Sequence, residues 1–243
     1  MNVTNPPQQE PDYPWGDTLP APGHVLEVAP GVRWLRMSLP FALNHINLWL
    51  LRDQLDGPGG PVQGWTVVDC GIADEATRSA WAQVFASGLD GLPVLRVVVT
   101  HMHPDHIGLA HWLTHHWSRP ASAGDNGFEC RLWMSATDFA AARQGSRADP
   151  LMGGDAAAAF VATHGVTDPH TLAQIRARAG HYASMVPALP ATYCRLMDGG
   201  VLDMGSAQVS GRHAWHALAG HGHAPEHIAL HSLALGVLLA GDM

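Results

Sequence analysis

The chain contains no lysine, so all 13 of its basic residues are arginines. They are outnumbered by 21 acidic residues, and the formal net charge is −8 at pH 7. Non-specific nucleic-acid binding requires many cations that neutralise phosphates, so this composition disfavours a nucleic acid as the partner without excluding it. A small-molecule substrate is therefore the expectation.

Cysteine is scarce, and Cys70, Cys130 and Cys194 are the only three. An odd number at wide spacing, without a CxxC pair, fits neither a disulfide framework nor a thiolate zinc site. We expect these residues to be small buried hydrophobic side chains.

Long apolar runs are absent as well. No stretch approaches the roughly 18 consecutive apolar residues that a membrane-spanning helix needs, so no membrane segment is predicted. Residues 1–23 carry six prolines and lack a basic stretch followed by an apolar run, which argues against a secretory signal. The sequence thus predicts a disordered tail over 1–23, one domain over 24–243 and a cytoplasmic location.

The first half of the domain alternates between strand-like and helical patterns. Short strand-like runs occupy residues 24–69, and a helical period follows over 73–89. Val94–Thr100 is a continuous apolar run, typical of a strand buried on both faces, and a helix is predicted over Ile107–Trp117. This alternation predicts an α/β fold in which helices pack against a sheet.

The second half begins with one more predicted strand, Arg131–Ser135. An Ala-rich helical insertion is predicted over 136–190, and strands return from Gly200 to Ala240. The insertion is therefore expected to interrupt a sheet that continues on both sides of it.

Histidine is abundant, with 17 residues, and four residues of metal-ligand type follow the Val94–Thr100 strand directly. They are His101, His103, Asp105 and His106. His101 and His103 alternate along an extended segment, so both imidazoles can point to one side, whereas the other two lie past a turn and can face a second ion. Imidazole and carboxylate suit zinc or iron. This spacing predicts two adjacent metal sites built from one loop.

The segment Thr100–His106 resembles the HxHxDH hallmark of the metallo-β-lactamase superfamily. Three further segments are similar to motifs of that family and occur in the same order along the chain. They are Val67–Gly71, Gly222–His227 and Leu239–Asp242. The resemblance extends over about residues 24–243.

The resemblance also implies roles for residues outside the hallmark. Asp69 is expected to orient the ligands or the bound water from behind them. His223 is the expected ligand from the third segment, with His221 as the alternative, because two Gly-His pairs overlap there. Asp242 is expected to bridge two ions.

The family fold is an αββα sandwich of two similar halves. Judged by that resemblance, the chain supplies the first half and only the opening strands of the second, which would be incomplete. The family's fifth motif, a histidine of the second metal site, is expected beyond Asp242. We therefore expect a chain truncated at its C-terminus with an incomplete second site, or a closing element supplied by a partner chain, as in a homodimer.

Together the ligand types and the resemblance imply a metal-dependent hydrolase with two divalent ions, zinc first and iron or manganese as alternatives. The expected ligands are His101, His103 and His223 for one ion and Asp105, His106 and Asp242 for the other. A bound cation lowers the pKa of its water from about 15.7 towards about 7, so the nucleophile is expected to be a metal-bound hydroxide. Asp105 is also the candidate catalytic proton carrier.

The substrate follows only from the resemblance. The HxHxDH form is similar to that of glyoxalase II-like thioesterases, so hydrolysis of a small-molecule thioester or ester is expected first. Three alternatives stay open: an endoribonuclease or phosphodiesterase, an iron-dependent dioxygenase, and an inactive metal-binding fragment.

Overall fold

The computed structural model describes residues 12–57, 60–120, 127–147, 153–206 and 211–243. The strands of the first sheet are β1 (Leu26–Ala29), β2 (Val32–Ser38), β3 (His45–Gly57), β4 (Gly60–Val68), β5 (Val94–Val98), β6 (Arg131–Ser135) and β7 (Cys194–Leu196). Those of the second are β8 (Val201–Ser206), β9 (Gly211–Gly220), β10 (His227–Ser232) and β11 (Val237–Leu239). The helices are α1 (Glu75–Ser87), α2 (Pro104–Ile107), α3 (Ala110–Trp117), α4 (Ala136–Gly145), α5 (Gly154–Thr163), α6 (Pro169–Ala177) and α7 (His181–Met185).

The first sheet is antiparallel from β1 to β4 and parallel from β4 to β7. All five residues of β5 are buried, as predicted for a central parallel strand, although Arg96 interrupts its apolar run. Because β4 and β5 run in the same direction, their carboxyl ends meet at one edge of the sheet. The second sheet has the order β11-β10-β9-β8 and is antiparallel throughout. The predicted α/β class is confirmed.

Two apolar clusters lie on opposite faces of the first sheet. Strand β3 shows the alternation, since Leu50 belongs to the cluster under the helices and Leu51 to the cluster between the sheets. The first cluster includes Trp81 of α1 and Leu113 of α3, whereas the second includes Trp215 of β9. Within the described residues, the layers are therefore helices, first sheet and second sheet.

Helix α1 lies within the predicted 73–89 segment. It begins after Asp74, whose carboxylate accepts a hydrogen bond from the Thr77 amide at 2.8 Å and so satisfies one free donor of the first turn. Its buried face carries Trp81, whose indole N–H donates to the carbonyl oxygen of Cys70 at 2.8 Å. The helix thus contacts the loop that follows β4.

The helix predicted over Ile107–Trp117 is instead two helices, and the prediction of one continuous helix is wrong. The break falls at Gly108, whose backbone lies against the residues after β4. A Cβ atom there would come within 2.8 Å of the Gly71 carbonyl oxygen and the Ala73 amide nitrogen. The Leu109 amide donates to that same Gly71 carbonyl oxygen at 3.2 Å, so a tertiary contact replaces helix continuity.

Other differences from the sequence predictions are local. Strand β7 has three residues, too short to show a periodic pattern, and was not predicted. The β3–β4 hairpin is longer than predicted, since its ladder extends to the pair Gly57 and Gly60. Cys70 and Cys130 are buried as expected, but Cys194 is partly exposed because it begins the outermost strand of its sheet.

The segment predicted as a helical insertion forms α4 to α7, with residues 148–152 outside the described part. Helices α5 and α6 pack on each other, and α6 has no buried residue. Residues 12–25 form turns without a helix or strand, and 1–11 of the predicted tail lie outside the described residues. Among the helices described, none is long and apolar enough to cross a membrane.

A buried ion pair lies between the two sheets. Arg96 of β5 donates through Nε and Nη2 to the two carboxylate oxygens of Asp53 on β3, both at 2.8 Å. The Thr66 hydroxyl donates to the same carboxylate at 2.7 Å. Arg96 also reaches the carbonyl oxygen of Asp203 on β8 at 3.4 Å, so the pair contacts both sheets.

Candidate metal centre

The candidate site lies at the sheet edge where β4 and β5 end. Asp69 follows β4, and its amide donates to the Val98 carbonyl oxygen at 2.9 Å, so the two strand ends are held side by side. The histidine-rich loop follows β5 and turns into α2, where His103 is the N-cap and Pro104 fixes the first turn. The short helix returns the chain so that His106 faces the same edge.

Three imidazole nitrogens converge at this edge. His101 Nε2 lies 2.9 Å from His103 Nδ1, and His223 Nε2 lies 3.0 Å from that His103 atom and 3.2 Å from His101 Nε2. Asp242 Oδ2 is 3.2 Å from His223 Nε2 and 4.0 Å from His101 Nε2. These four side chains form a group whose ligand atoms lie within 4.8 Å of one another. The group can hold a divalent metal ion.

A second set of donors adjoins the first. His106 Nε2 is buried and has no hydrogen-bond partner among the described residues. It lies 3.5 Å from Asp242 Oδ1 and 3.8 Å from Asp105 Oδ2, whereas the other oxygen of Asp242 faces the three imidazoles. A buried, unpartnered nitrogen facing two carboxylates fits a metal ligand, because leaving such a nitrogen unpaired is otherwise costly. The carboxylate of Asp242 thus lies between the two sets.

Asp69 holds two of these imidazoles in one tautomer. His106 Nδ1 donates to Asp69 Oδ2 at 2.8 Å. The Thr100 hydroxyl donates to the same oxygen at 2.9 Å and lies 3.0 Å from His101 Nδ1, so it accepts the proton of that nitrogen. Both Nδ1 atoms therefore carry hydrogen, which leaves the Nε2 atoms free to bind a cation. No role was predicted for Thr100, although it directly precedes the HxHxDH pattern that begins at His101.

His227 also lies beside the group, although no separate role was predicted for it from the sequence. Its ring stacks on that of His101 at 4.7 Å between centroids, and its Nε2 accepts the Asp242 amide hydrogen at 3.2 Å. Gly241 has φ +59°, and a Cβ atom there would lie 2.5 Å from His227 Nε2. The close approach therefore requires glycine before Asp242. In the sequence, His227 is the last residue of the Gly222–His227 segment, and that segment was interpreted as a motif without a separate role for this histidine.

Burial and neighbouring charges shift the pKa values of the candidate ligands in different directions. Burial, and then the neighbouring imidazoles, lower the pKa values of His101 and His103. Burial alone would also lower the pKa of His106, but the carboxylates around it raise that pKa to about 10. The imidazole of His106 in turn lowers the pKa of Asp242. His101 and His103 are therefore neutral beside an ionised Asp242, the states in which these groups bind a cation, whereas a cation at His106 would have to displace a proton.

His221, the alternative ligand, and two further histidines lie outside the group. His221 is exposed, and its Nδ1 is 2.7 Å from the carbonyl oxygen of Pro225, so the structure brings His223 and not His221 to the group. His111 and His115 lie on α3 with their rings stacked at 6.2 Å, outside the group.

The fold and the site together define an α/β metalloprotein with a His/Asp metal group at a sheet edge. The chain belongs to the metallo-β-lactamase superfamily, since the sequence model of that superfamily matches residues 47–243. Most members of the superfamily are metal-dependent hydrolases. The family resemblance stated from the motifs is thereby confirmed. No curated protein matches the chain.

Two solved structures illustrate the likeness. A β-lactamase domain protein from Burkholderia ambifaria is 48% identical, with a TM-score of 0.78, and the match covers 93% of this chain and 58% of that protein. A metallo-β-lactamase family protein from Thermus thermophilus is 26% identical, with a TM-score of 0.57, over 86% of this chain and 58% of that one. The chain therefore spans less than two thirds of the length of either relative.

Proposed function

We propose that the chain carries the metal site of a hydrolase that acts on a small-molecule thioester or ester. The observation that carries this proposal is the convergence of three imidazole nitrogens, 2.9–3.2 Å apart. Tetrahedral zinc with bonds of about 2.0–2.1 Å to nitrogen places its ligands about 3.3 Å apart, close to these separations. The three nitrogens are thus already near the positions that one small divalent ion requires.

His101, His103 and His223 would hold one cation, and His106 and Asp105 would hold another. Asp242 can bind both, because its two oxygens face the two sets of donors. Divalent cations here would lower the pKa of bound water towards about 7 and polarise the scissile carbonyl. We propose zinc for this chemistry, with iron and manganese as outcomes of the test below.

Asp105 has the position of a proton carrier as well as of a ligand. Its side chain is partly exposed, and its Oδ2 is 3.8 Å from His106 Nε2. A carboxylate at the mouth of the site can take up a proton at Oδ2 and exchange it with solvent. Asp69 is instead buried behind the ligands, where its Oδ2 accepts hydrogen bonds from His106 Nδ1 and from the Thr100 hydroxyl and so fixes imidazole tautomers.

The thioester or ester class is supported by the motif form and by the charge of the chain. The HxHxDH segment with both aspartate and histidine resembles that of glyoxalase II-like thioesterases. The net charge of −8, without lysine, disfavours a polyanionic substrate. Phosphodiester cleavage is therefore the second candidate and serves as a comparison in the assay.

The test combines metal content with hydrolysis. The chain is freed of metal by chelation, reloaded with zinc, manganese or iron, and analysed by elemental mass spectrometry. Hydrolysis is then followed with an acyl thioester, an aryl ester and bis(4-nitrophenyl) phosphate. The variant His103→Ala removes one member of the group, whereas His115→Ala removes an exposed imidazole outside it and is the matched control.

We expect thioester or ester turnover in the zinc form, lost on His103→Ala and retained on His115→Ala. Turnover of the phosphodiester alone would overturn the thioester or ester class and support a phosphodiester as the substrate. Stoichiometric metal binding without turnover of any of the three substrates would overturn the proposed hydrolase activity and support an inactive metal-binding chain. Turnover that survives His103→Ala would overturn the assigned site.

A further inference from the structure

The backbone between two candidate ligands is held by side chains from the helical insertion. Met102 lies between His101 and His103. Its amide donates to Asp138 Oδ1 at 2.8 Å, and its carbonyl oxygen accepts the Tyr182 hydroxyl hydrogen at 2.6 Å. Both polar groups of this one residue are thus satisfied from α4 and α7, which are remote in sequence. The rotation of the peptides on either side of it is thereby restrained.

The same carboxylate reaches the other ligand-bearing loop. Asp138 Oδ2 accepts the Glu226 amide hydrogen at 2.6 Å. Glu226 lies in the loop that carries His223, and its own carboxylate accepts a hydrogen bond from the Thr137 hydroxyl at 2.7 Å. His223 is exposed, so the loop depends on such contacts for its position. One aspartate therefore joins two loops that lie 36 and 88 residues away in the chain.

We propose that Asp138, supported by Tyr182, is the positioning residue that sets His223 against His101 and His103. This inference rests on the proposed metal site and adds a role for the helical insertion, namely to hold the ligand loops at the correct separation. Asp138 touches neither the imidazoles nor a reacting atom in this arrangement, and it acts through the backbone.

Asp138 is built into the structure for such a role. Its side chain is 0% exposed, in the first turn of α4, and the Ser135 hydroxyl lies 3.3 Å from its Oδ2. Buried carboxylates are stable only when their oxygens accept hydrogen bonds, and here backbone amides supply them. Tyr182 is placed by Gly145, since a Cβ atom at that glycine would come within 2.7 Å of the tyrosine ring.

The two amide contacts explain why a carboxylate is needed. An asparagine has one acceptor oxygen, and its NH₂ group can only donate. In Asp138→Asn one of the two backbone amides would therefore face a donor, and one loop would lose its anchor. Tyr182→Phe removes a single hydroxyl and leaves both amide contacts in place, so its effect is confined to the Met102 carbonyl.

The first experiment measures the anchors without metal. Amide hydrogen exchange is followed by NMR in the metal-free chain for wild type, Asp138→Asn, Tyr182→Phe and Asp53→Asn. Asp53 is a buried, ion-paired aspartate far along β3 from the ligand loops, so its variant controls for general loss of stability. We expect Asp138→Asn to accelerate exchange at Met102 or Glu226 beyond the rest of the chain, and Asp53→Asn to accelerate exchange without preference for these amides.

The second experiment measures the consequence for metal. Cobalt(II) is titrated into each variant against a competing chelator, and its visible absorption reports the ligand geometry. Loss of a group that orients ligands typically weakens metal binding about 10–100-fold, and we expect a loss in that range for Asp138→Asn together with an altered spectrum. Tyr182→Phe should show a smaller loss, and Asp53→Asn should keep the wild-type spectrum.

The outcomes separate the two proposals. Unchanged exchange at both amides, or an Asp138→Asn variant with the wild-type affinity and spectrum, would overturn the positioning role. A wild-type chain that binds no cobalt would overturn the proposed metal site, while the exchange data would still decide whether Asp138 holds the loops. If Asp138→Asn does not fold, the cobalt titration of Tyr182→Phe, which loses only the Met102 carbonyl contact, tests whether the restraint on Met102 positions the ligands, and wild-type affinity and spectrum there would overturn the positioning role.

Discussion

At the scale of single residues, the hydroxyl of Thr100 makes one hydrogen bond as a donor and one as an acceptor. It donates to Asp69, which can only accept, and it accepts from His101 Nδ1. The side chain is buried, so the His101 Nδ1–H depends on this hydroxyl for its hydrogen bond. A residue adjacent to the ligands thereby determines which nitrogen of His101 faces the site.

Replacing Thr100 by valine keeps the shape of the side chain and removes both contacts. We expect the free energy of unfolding to fall by about 1–3 kcal/mol, because the His101 Nδ1–H is left without a partner in the interior and the Asp69 carboxylate loses one of its donors. Urea unfolding measures the loss. Thr100→Ser keeps the hydroxyl and should recover most of it, and a valine variant as stable as wild type would contradict this account.

The three cysteines should differ in reactivity. Burial raises the pKa of the Cys130 thiol to about 12, and burial with the nearby Asp69 charge raises that of Cys70. Cys194 is partly exposed. Because the thiolate is the reactive form, dithionitrobenzoate at pH 8 should modify one thiol in the folded chain and three in denaturant. Cys194→Ser should abolish the reaction of the folded chain, and residual reaction would show that a buried thiol is accessible.

The candidate site was more predictable from sequence than its supports. Ligands that are close in sequence, such as His101 and His103, can be predicted from their spacing, because one loop sets their relative positions. The pairing of Asp138 with Met102 depends on how α4 packs against the loop, and nothing in the local pattern of an Ala-rich helix signals it. The sequence favoured His223 with His221 as the alternative, and the loop conformation, which turns His221 towards Pro225, places His223 in the group.

At the scale of secondary structure elements, the break between α2 and α3 shows tertiary contact overriding helical periodicity. The helix stops where the Leu109 amide donates to the Gly71 carbonyl oxygen after β4, a contact that the close approach of Gly108 to the same residues permits. A strand of mostly apolar residues such as β5 was predictable, because burial on both faces has a direct sequence signature. Strand β7 was not, because three residues carry no period.

Alanine at position 108 tests the importance of this break. The added methyl group would press on the Gly71 carbonyl oxygen and the Ala73 amide, which are backbone atoms and cannot rotate away. We expect Gly108→Ala to lower the free energy of unfolding by about 1–3 kcal/mol, the usual range for overpacking. Denaturant unfolding checks this, and an unchanged midpoint would mean that the two loops separate without cost.

At the scale of the whole molecule, the buried pair of Arg96 and Asp53 contributes to the contact between the sheets. Arg96→Met leaves the Asp53 carboxylate buried and uncompensated, and we expect a loss of about 3–5 kcal/mol in the free energy of unfolding. The double variant Asp53→Leu with Arg96→Met removes both charges and should recover much of that loss. Equal stability of the single variant and wild type, measured by urea unfolding, would show that water reaches the carboxylate.

Only the first and last helices of the helical insertion contact the ligand loops through the hydrogen bonds described above, and this has a practical consequence. Helices α4 and α7 contact the ligand loops through Asp138 and Tyr182, whereas α5 and α6 pack mainly on each other, and α6 buries nothing. The hairpin between the two anchors is therefore a natural place for protein engineering. A foreign recognition hairpin, or a fluorescent reporter, can be grafted in its place while the anchors on either side keep the ligand-bearing edge intact.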